Sequence, residues 1–191
     1  QIGDYTAPEF VDFDGDGDDD ILVSATGTDS LYWYENNLKI DLTFAARPEI
    51  VSSLRRAQGL AAADFDGDGD ADIVATDWSG NNVVWFENRL NQIESDFAPE
   101  EIILSGFSSS AGVATIDYHQ DGDPDVVVGQ ANGNGVVLLQ NRLNQPFADF
   151  RNIETISSTN AYVEYIVISD IDQDGWEDNI LSDLVLDEIV R

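Results

Sequence analysis

The stretch Asp64–Asp72 reads DFDGDGDAD and is followed by the apolar run Ile73–Ala75. Aspartates occupy its first, third, fifth and ninth positions, and Gly69 occupies the sixth. Alternate side chains of a tightly turned loop can converge on one ion, and hard cations such as Ca²⁺ bind several oxygen ligands at roughly 2.3–2.6 Å. Without a cation the clustered carboxylates would repel one another. The stretch therefore predicts a cation-binding loop, with the main-chain carbonyl of Asp70 at the seventh position as a further ligand.

Three similar stretches recur along the chain at a nearly constant period. They are Asp12–Asp20 (DFDGDGDDD), Asp117–Asp125 (DYHQDGDPD) and Asp170–Asp178 (DIDQDGWED), and the first aspartates of the four loops lie 52, 53 and 53 residues apart. A single acidic loop can be a solvated turn, but four copies in register indicate a repeat architecture. One array over residues 1–191 is predicted, with repeats at about 5–56, 57–109, 110–162 and 163–191, the last of them partial.

Each complete repeat is predicted to contain four short strands, because short β-branched and aromatic runs alternate with turn residues and no helical period is present. In the second repeat the strands are predicted at Gly59–Ala63, Ile73–Ala75, Val83–Asn88 and Glu101–Leu104. The fourth strands of the first and third repeats are predicted near Glu49–Ser52 and Glu154–Ile156. The acidic loop thus connects the first strand of each repeat to the second.

Four-stranded antiparallel units repeated around an axis form a β-propeller. The predicted fold is therefore all-β, a β-propeller with three complete blades and a partial fourth. The large residues Trp33, Trp85 and Leu138 occupy one position of the third strand and are predicted to form the core between blades. Adding the same period to Leu138 reaches Arg191, so the fourth repeat lacks an outer strand. The open flanks would be covered in a homodimer or by blades from a longer parent chain.

Composition limits the possible partners. The formal net charge is −30, from 38 acidic and 8 basic residues, and Lys39 is the only lysine. Nucleic acids and anionic membranes attract basic patches, so neither is an expected partner. The chain has no cysteine, which excludes disulfides and thiolate metal sites. No apolar run approaches the ~20 residues of a membrane-spanning helix, so membrane insertion is not expected.

The loop pattern D-x-D-x-D-G-x-x-D and the third-strand pattern W-[YF]-E-N resemble FG-GAP/VCBS repeats, which form the propellers of integrin α-chains and of related secreted microbial proteins and fungal lectins. The resemblance covers almost the whole chain. It implies up to four structural Ca²⁺ ions and a secreted or cell-surface location. The residues that match the ligand positions of the family, with the seventh residue contributing its main-chain carbonyl, are Asp12, Asp14, Asp16, Asp18 and Asp20; Asp64, Asp66, Asp68, Asp70 and Asp72; Asp117, Asp121, Asp123 and Asp125; and Asp170, Asp172, Asp174, Trp176 and Asp178.

The third loop departs from this pattern. His119 stands where the other three loops have an aspartate at position three. Because Ca²⁺ prefers oxygen ligands, imidazole is a poor replacement. The third site is therefore expected to be weaker than the others, or to use water at that position.

No catalytic signature is present: the chain lacks G-x-S-x-G, H-E-x-x-H, a phosphate-binding loop and a histidine-paired nucleophile. The expected function is a non-enzymatic binding or adhesion module that recognises a carbohydrate or a protein. Two alternatives remain open: a propeller that belongs to a secreted polysaccharide-cleaving enzyme, since carboxylate pairs for glycoside hydrolysis are available, and a purely structural repeat of a large surface protein.

Overall fold

The computed structural model describes residues 8–39, 43–47, 49–50, 54–91, 96–107, 109–131, 135–142, 150, 152–157, 163–170, 178–183 and 188–190. Within these ranges every regular element is a β-strand. No helix in the described part of the chain is long and apolar enough to cross a membrane.

The strands form four antiparallel sheets, each built from consecutive strands. The first sheet contains β1 (Glu9–Val11), β2 (Asp20–Ala25), β3 (Ser30–Asn36) and β4 (Phe44–Ala46). The second contains β5 (Ala57–Ala63), β6 (Asp72–Asp77), β7 (Asn82–Phe86) and β8 (Glu101–Ser105), and the third contains β9 (Ser110–Ile116), β10 (Asp125–Gln130), β11 (Val136–Gln140) and β12 (Asn152–Ser157). The fourth has three strands, β13 (Val163–Ser169), β14 (Asp178–Asp183) and β15 (Glu188–Val190).

The prediction of an all-β chain with three four-stranded antiparallel units is confirmed. One strand position differs from the prediction. The outer strand of the first sheet, predicted near Glu49–Ser52, is β4 at Phe44–Ala46, and Ile50 forms a separate bridge with Leu31. The bridge between Phe97 and Asn88 in the second sheet repeats the Phe44–Asn36 pairing of the first sheet. Residues 51–53 lie outside the described ranges.

The sheets pack face to face in chain order. Leu22 and Trp33 of the first sheet share a buried cluster with Ile73 and Phe86 of the second. Trp85 packs in the same way between the second and third sheets, and Leu138 between the third and fourth. The prediction that these large third-strand residues form the core between sheets is therefore confirmed. In the described residues, the fourth and first sheets do not close into a ring.

The second and third sheets approach each other closely at their first strands. A Cβ atom added to Gly59 on β5 would lie 2.3 Å from the carbonyl oxygen of Ala111 on β9. This distance is far below van der Waals contact, so only glycine allows the two sheets to approach this closely. The acidic loops follow β1, β5 and β9 and therefore lie at one common end of the stacked sheets.

The outer face of the first sheet has no neighbouring sheet in the described residues. Ile21, Val23, Tyr32 and Tyr34 on this face are only partly buried, whereas their equivalents in the second sheet are buried against the first. Phe10 on the same face is 62% exposed. On β13 of the fourth sheet, Tyr165 and Val167 are also exposed.

Candidate metal centres

The first aspartate of each described loop fixes the turn by accepting main-chain hydrogen bonds. Asp64 accepts bonds from the amides of Gly67 (2.7 Å), Asp68 (3.1 Å) and Gly69 (3.0 Å). Asp12 and Asp117 each accept bonds from the fifth and sixth residues of their own loops at 2.9–3.1 Å. The sixth residue is a glycine with a positive φ in all three loops, 98° at Gly69, as the sharp turn requires.

Carboxylates converge in the first and second loops. Oxygen atoms of Asp12, Asp14 and Asp20 lie within 4.8 Å of one another, and those of Asp64, Asp66 and Asp68 do the same. Among the described residues these are the two groups with this geometry. The acidic clusters of the first two loops can therefore hold a metal ion.

The ninth position is the most buried part of each loop. Asp20, Asp72 and Asp125 have no solvent-exposed surface. Asp72 accepts hydrogen bonds from the amide of Phe65 at 3.1 Å and from the amide of Asn88 at 2.7 Å. Burial raises the pKa of Asp72 to about 8, although these two bonds oppose the shift. Asp20 and Asp125 accept the equivalent pairs of bonds, and burial raises the pKa of each.

The third position is partly buried and faces other carboxylates. Burial, followed by the charge of Asp68, raises the pKa of Asp66 to about 6. Burial and the charges of Asp20 and Asp16 raise the pKa of Asp14. A divalent cation bound between these groups would offset both the burial of the charged carboxylates and the repulsion between them. All the side-chain ligand atoms available are oxygen atoms. The residues of the first and second loops therefore fit a hard cation.

The fifth and seventh positions differ in their contacts. The carboxylates of Asp16 and Asp68 accept bonds from the amides two residues ahead, those of Asp18 and Asp70, at 2.9 Å each. The Asp18 side chain forms an ion pair with Lys39. Asn91, which is equivalent to Lys39, donates a hydrogen bond to the Asp70 side chain at 2.9 Å.

The third loop is closed by an internal contact. His119 Nδ1 lies 3.1 Å from Asp125 Oδ2, and its ring packs edge-on against Tyr118. Asp117 and Asp121 are exposed and lie outside the two converging groups. Burial raises the pKa of Asp125, and the His119 imidazole opposes this increase. In the second loop the residue equivalent to His119 is Asp66, whose negative charge instead adds to the increase in the pKa of Asp72.

The fourth loop lies mostly outside the described residues. Asp170 follows β13 and is partly buried, and Asp178 begins β14. Residues 171–177, which include Asp172, Asp174 and Trp176, are not described. The predicted fourth site therefore stays a prediction.

An asparagine stands at or just after the end of each third strand in the first three sheets. In the structure Asn88 is fully buried, and its side-chain amide donates hydrogen bonds to the carbonyl oxygens of Ala71 and of Phe13, both at 2.9 Å. Phe13 belongs to the loop of the preceding sheet. Asn141 makes the same contact with Phe65 at 2.8 Å. The offset of 52 or 53 residues shared by Asn36, Asn88 and Asn141 was the available sequence signal.

A groove of about 440 Å³ lies between the first and second sheets beside the first loop. Its apolar wall includes Trp33 and Phe97, and Asp14 belongs both to this groove and to the acidic cluster of the first loop. The Arg47 guanidinium stacks over the Trp33 ring at 5.5 Å and forms an ion pair with Glu35. The groove thus combines an aromatic surface with charged groups. The residues that line it are Asp14, Trp33, Arg47, Ile50, Leu90, Asp96 and Phe97.

The FG-GAP-like repeat family matches the chain three times, over residues 12–75, 64–128 and 117–181. Each match begins at an acidic loop and extends past the next one. The chain therefore belongs to the FG-GAP-like repeat family, as the loops and third strands predicted.

Two solved structures share the fold at low sequence identity. The BBS1N chain, crystallised in complex with ARL6DN and soaked with lead, is 10% identical with a TM-score of 0.58. The biofilm matrix protein Bap1 of V. cholerae is 20% identical with a TM-score of 0.51. The comparison covers 95% and 92% of this chain but 52% and 24% of those two chains. No curated protein matches the sequence.

Proposed function

We propose that the chain is part of an extracellular β-propeller that binds Ca²⁺ in its acidic loops and acts as a binding or adhesion module. The observation that carries the proposal is the convergence of three carboxylates within 4.8 Å in each of two neighbouring loops. These ions would be structural, because the loops supply many protein oxygens, whereas a catalytic metal keeps a position open for substrate.

The carboxylates of the loops are clustered and partly buried, so the folded protein is favoured where Ca²⁺ is plentiful. Extracellular Ca²⁺ modules commonly bind with dissociation constants of ~10⁻⁴–10⁻³ M. At ~1 mM free Ca²⁺ and a dissociation constant of ~0.1 mM, one site stabilises the fold by about 1.4 kcal/mol. Two or more such sites would contribute a substantial part of the stability of a small domain. Secretion or display at the cell surface follows from this requirement.

The groove beside the first loop is the ligand site that we assign to this function. Its volume lies in the range of pockets that hold small ligands. Trp33 and Phe97 offer apolar surface to a sugar ring or to a side chain, while Asp14 and Asp96 can accept hydrogen bonds. A biofilm matrix protein shares the fold, and a surface or matrix setting suits the ligand classes that we propose, carbohydrate or protein.

A glycan array with added Ca²⁺ or with EDTA tests this function. Binding that requires Ca²⁺ and is weakened by Arg47→Ala is expected. Arg56→Ala is the matched control, because Arg56 also stacks on a tryptophan, Trp78, but belongs to the opposite end of the strands. Release of reducing sugar from a polysaccharide panel would instead favour the alternative that the propeller belongs to a polysaccharide-cleaving enzyme. Absence of both binding and cleavage would favour a structural repeat.

The proposed function also includes further chains or blades that pack on the open faces of the array. The outer face of the first sheet and the exposed residues of β13 would be covered in a homodimer or by additional blades of a longer chain. Nucleic acid is not proposed as a partner, because the net charge is −30.

A further inference from the structure

A continuous set of hydrogen bonds connects the first loop to the second. The amide of Phe13 donates to Asp20 at 3.2 Å, and the carbonyl oxygen of Phe13 accepts a bond from the side chain of Asn88 at 2.9 Å. The main-chain amide of Asn88 in turn donates to Asp72 at 2.7 Å. We call these four residues, Asp20, Phe13, Asn88 and Asp72, the Asn88 relay. It joins the buried ninth-position carboxylates of two neighbouring loops through two residues.

The same arrangement joins the second loop to the third, through Phe65 and Asn141. In the first sheet the equivalent asparagine is Asn36. Its amide nitrogen atoms bond Asp20 at 2.8 Å and the carbonyl of Asp19 at 2.9 Å, both within its own sheet. Asn36 is partly exposed, whereas Asn88 and Asn141 are fully buried. The contact with a preceding loop therefore distinguishes the two buried asparagines from the partly exposed Asn36.

We propose that the Asn88 relay couples cation binding in the first two loops, so that a cation in one loop strengthens binding in the other. This inference rests on the proposed function of the loops as cation sites. Phe13 lies between Asp12 and Asp14, so a cation that fixes these carboxylates also fixes the Phe13 carbonyl. That carbonyl orients Asn88, and Asn88 holds Asp72 in place. The second cation then meets a loop that is already ordered, which lowers the entropic cost of binding.

Direct electrostatics between the two ions would have the opposite sign. Two bound cations repel each other, so Coulomb forces alone would make the second ion bind more weakly. Salt screens this repulsion between exposed charges, while buried hydrogen bonds are screened much less. If binding of one cation still strengthens binding of the other at ~0.5 M NaCl, the coupling is therefore attributed to the Asn88 relay and not to direct electrostatics.

Calorimetric Ca²⁺ titration of four variants tests the coupling. Asp12→Asn/Asp14→Asn gives the affinity of the second loop alone, and Asp64→Asn/Asp66→Asn gives that of the first. The product of the two binding constants in the unmodified chain should exceed the product of these single-loop constants by about fivefold or more. The excess should disappear in Asn88→Ala and persist in Asn36→Ala, the matched control. Equal products in the unmodified chain would overturn the coupling, whereas absence of binding in both loops would overturn the proposed Ca²⁺ sites themselves.

A second measurement needs no change at Asn88, in case Asn88→Ala does not fold. In Asp64→Asn/Asp66→Asn the first loop retains its converging carboxylates, whereas the second loop does not. Ca²⁺ should then slow the amide hydrogen exchange of Phe65, which bonds Asp72 at the far end of the relay. An unchanged exchange rate at Phe65, with slowed exchange at Phe13, would show that the loops act independently.

Discussion

The Nδ1 atom of His119 lies 3.1 Å from Oδ2 of Asp125, so the one histidine of the chain contacts the buried carboxylate of its own loop. The equivalent residue in the second loop is Asp66, whose carboxylate belongs to a converging group. An imidazole therefore stands where the second loop has a carboxylate of its converging group, and it contacts the buried carboxylate of the third loop.

Replacing His119 with Asp should create a stronger cation site in the third loop. The change restores an oxygen ligand at position three and removes the contact that partly compensates Asp125. We expect Ca²⁺ affinity at that loop to rise on the order of tenfold, measured by calorimetry. His119→Ala is the control, because it removes the contact with Asp125 without adding a ligand. No gain in His119→Asp over His119→Ala would mean that position three does not face the ion.

Calcium should raise the melting temperature. Two loops that each gain about 1.4 kcal/mol at ~1 mM Ca²⁺ would together shift the melting temperature by more than about 5 °C. Thermal melts in EDTA and in ~5 mM Ca²⁺, followed by circular dichroism, measure the shift. Superimposable melts would argue against structural cations. In Asp12→Asn/Asp14→Asn/Asp64→Asn/Asp66→Asn the shift should largely disappear.

Without metal, the protein should lose stability as the pH rises from about 4 to about 8. The pKa of Asp72 is raised to about 8 and that of Asp66 to about 6, from a usual value of 3.8. In this window the unfolded chain releases protons that the folded chain retains, so the free energy of unfolding falls. Urea unfolding in EDTA at several pH values measures the slope, which Asp72→Asn should reduce. Because Ca²⁺ needs ionised carboxylates, its affinity should rise over the same window.

Adding a methyl group at Gly59 should destabilise the contact between the second and third sheets. The new Cβ would lie 2.3 Å from the Ala111 carbonyl oxygen, so the main chain would have to move. Gly59→Ala should lower the free energy of unfolding by about 1–3 kcal/mol in urea denaturation. Gln58→Ala, one residue earlier on the same strand, is the control. If the two variants proved equally stable, the close approach of β5 and β9 would be in doubt.

The outer face of the first sheet should promote self-association. Phe10 and the partly buried Tyr32 and Tyr34 form an apolar surface that equivalent residues bury in the second sheet. Light scattering at micromolar concentration should give a mass above the 20.9 kDa of one chain. Tyr34→Glu should restore the monomer, whereas the exposed surface substitution Ile102→Glu on β8 should have no effect. A stable monomer of the unmodified chain would exclude association through this face.

The repeat period predicted the number of sheets and the placement of the acidic loops, because both follow from residues close together in sequence. The role of Asn88 was not predicted, since its hydrogen bond to Phe13 joins residues 75 positions apart and depends on how two sheets pack. The contact between His119 and Asp125 was also missed, although both residues had been identified. Ligand spacing shows which side chains can converge on a cation, but not which of them bind each other instead.

The glycine at position 59 has a consequence for the ends of the array. Its equivalent on β13, at the same distance before the acidic loop, is Tyr165. A sheet that packed on the fourth as the third packs on the second would bring a main-chain carbonyl onto the base of that tyrosine. Additional blades beside the fourth sheet would therefore have to pack on it in a geometry different from the one that joins the second and third sheets.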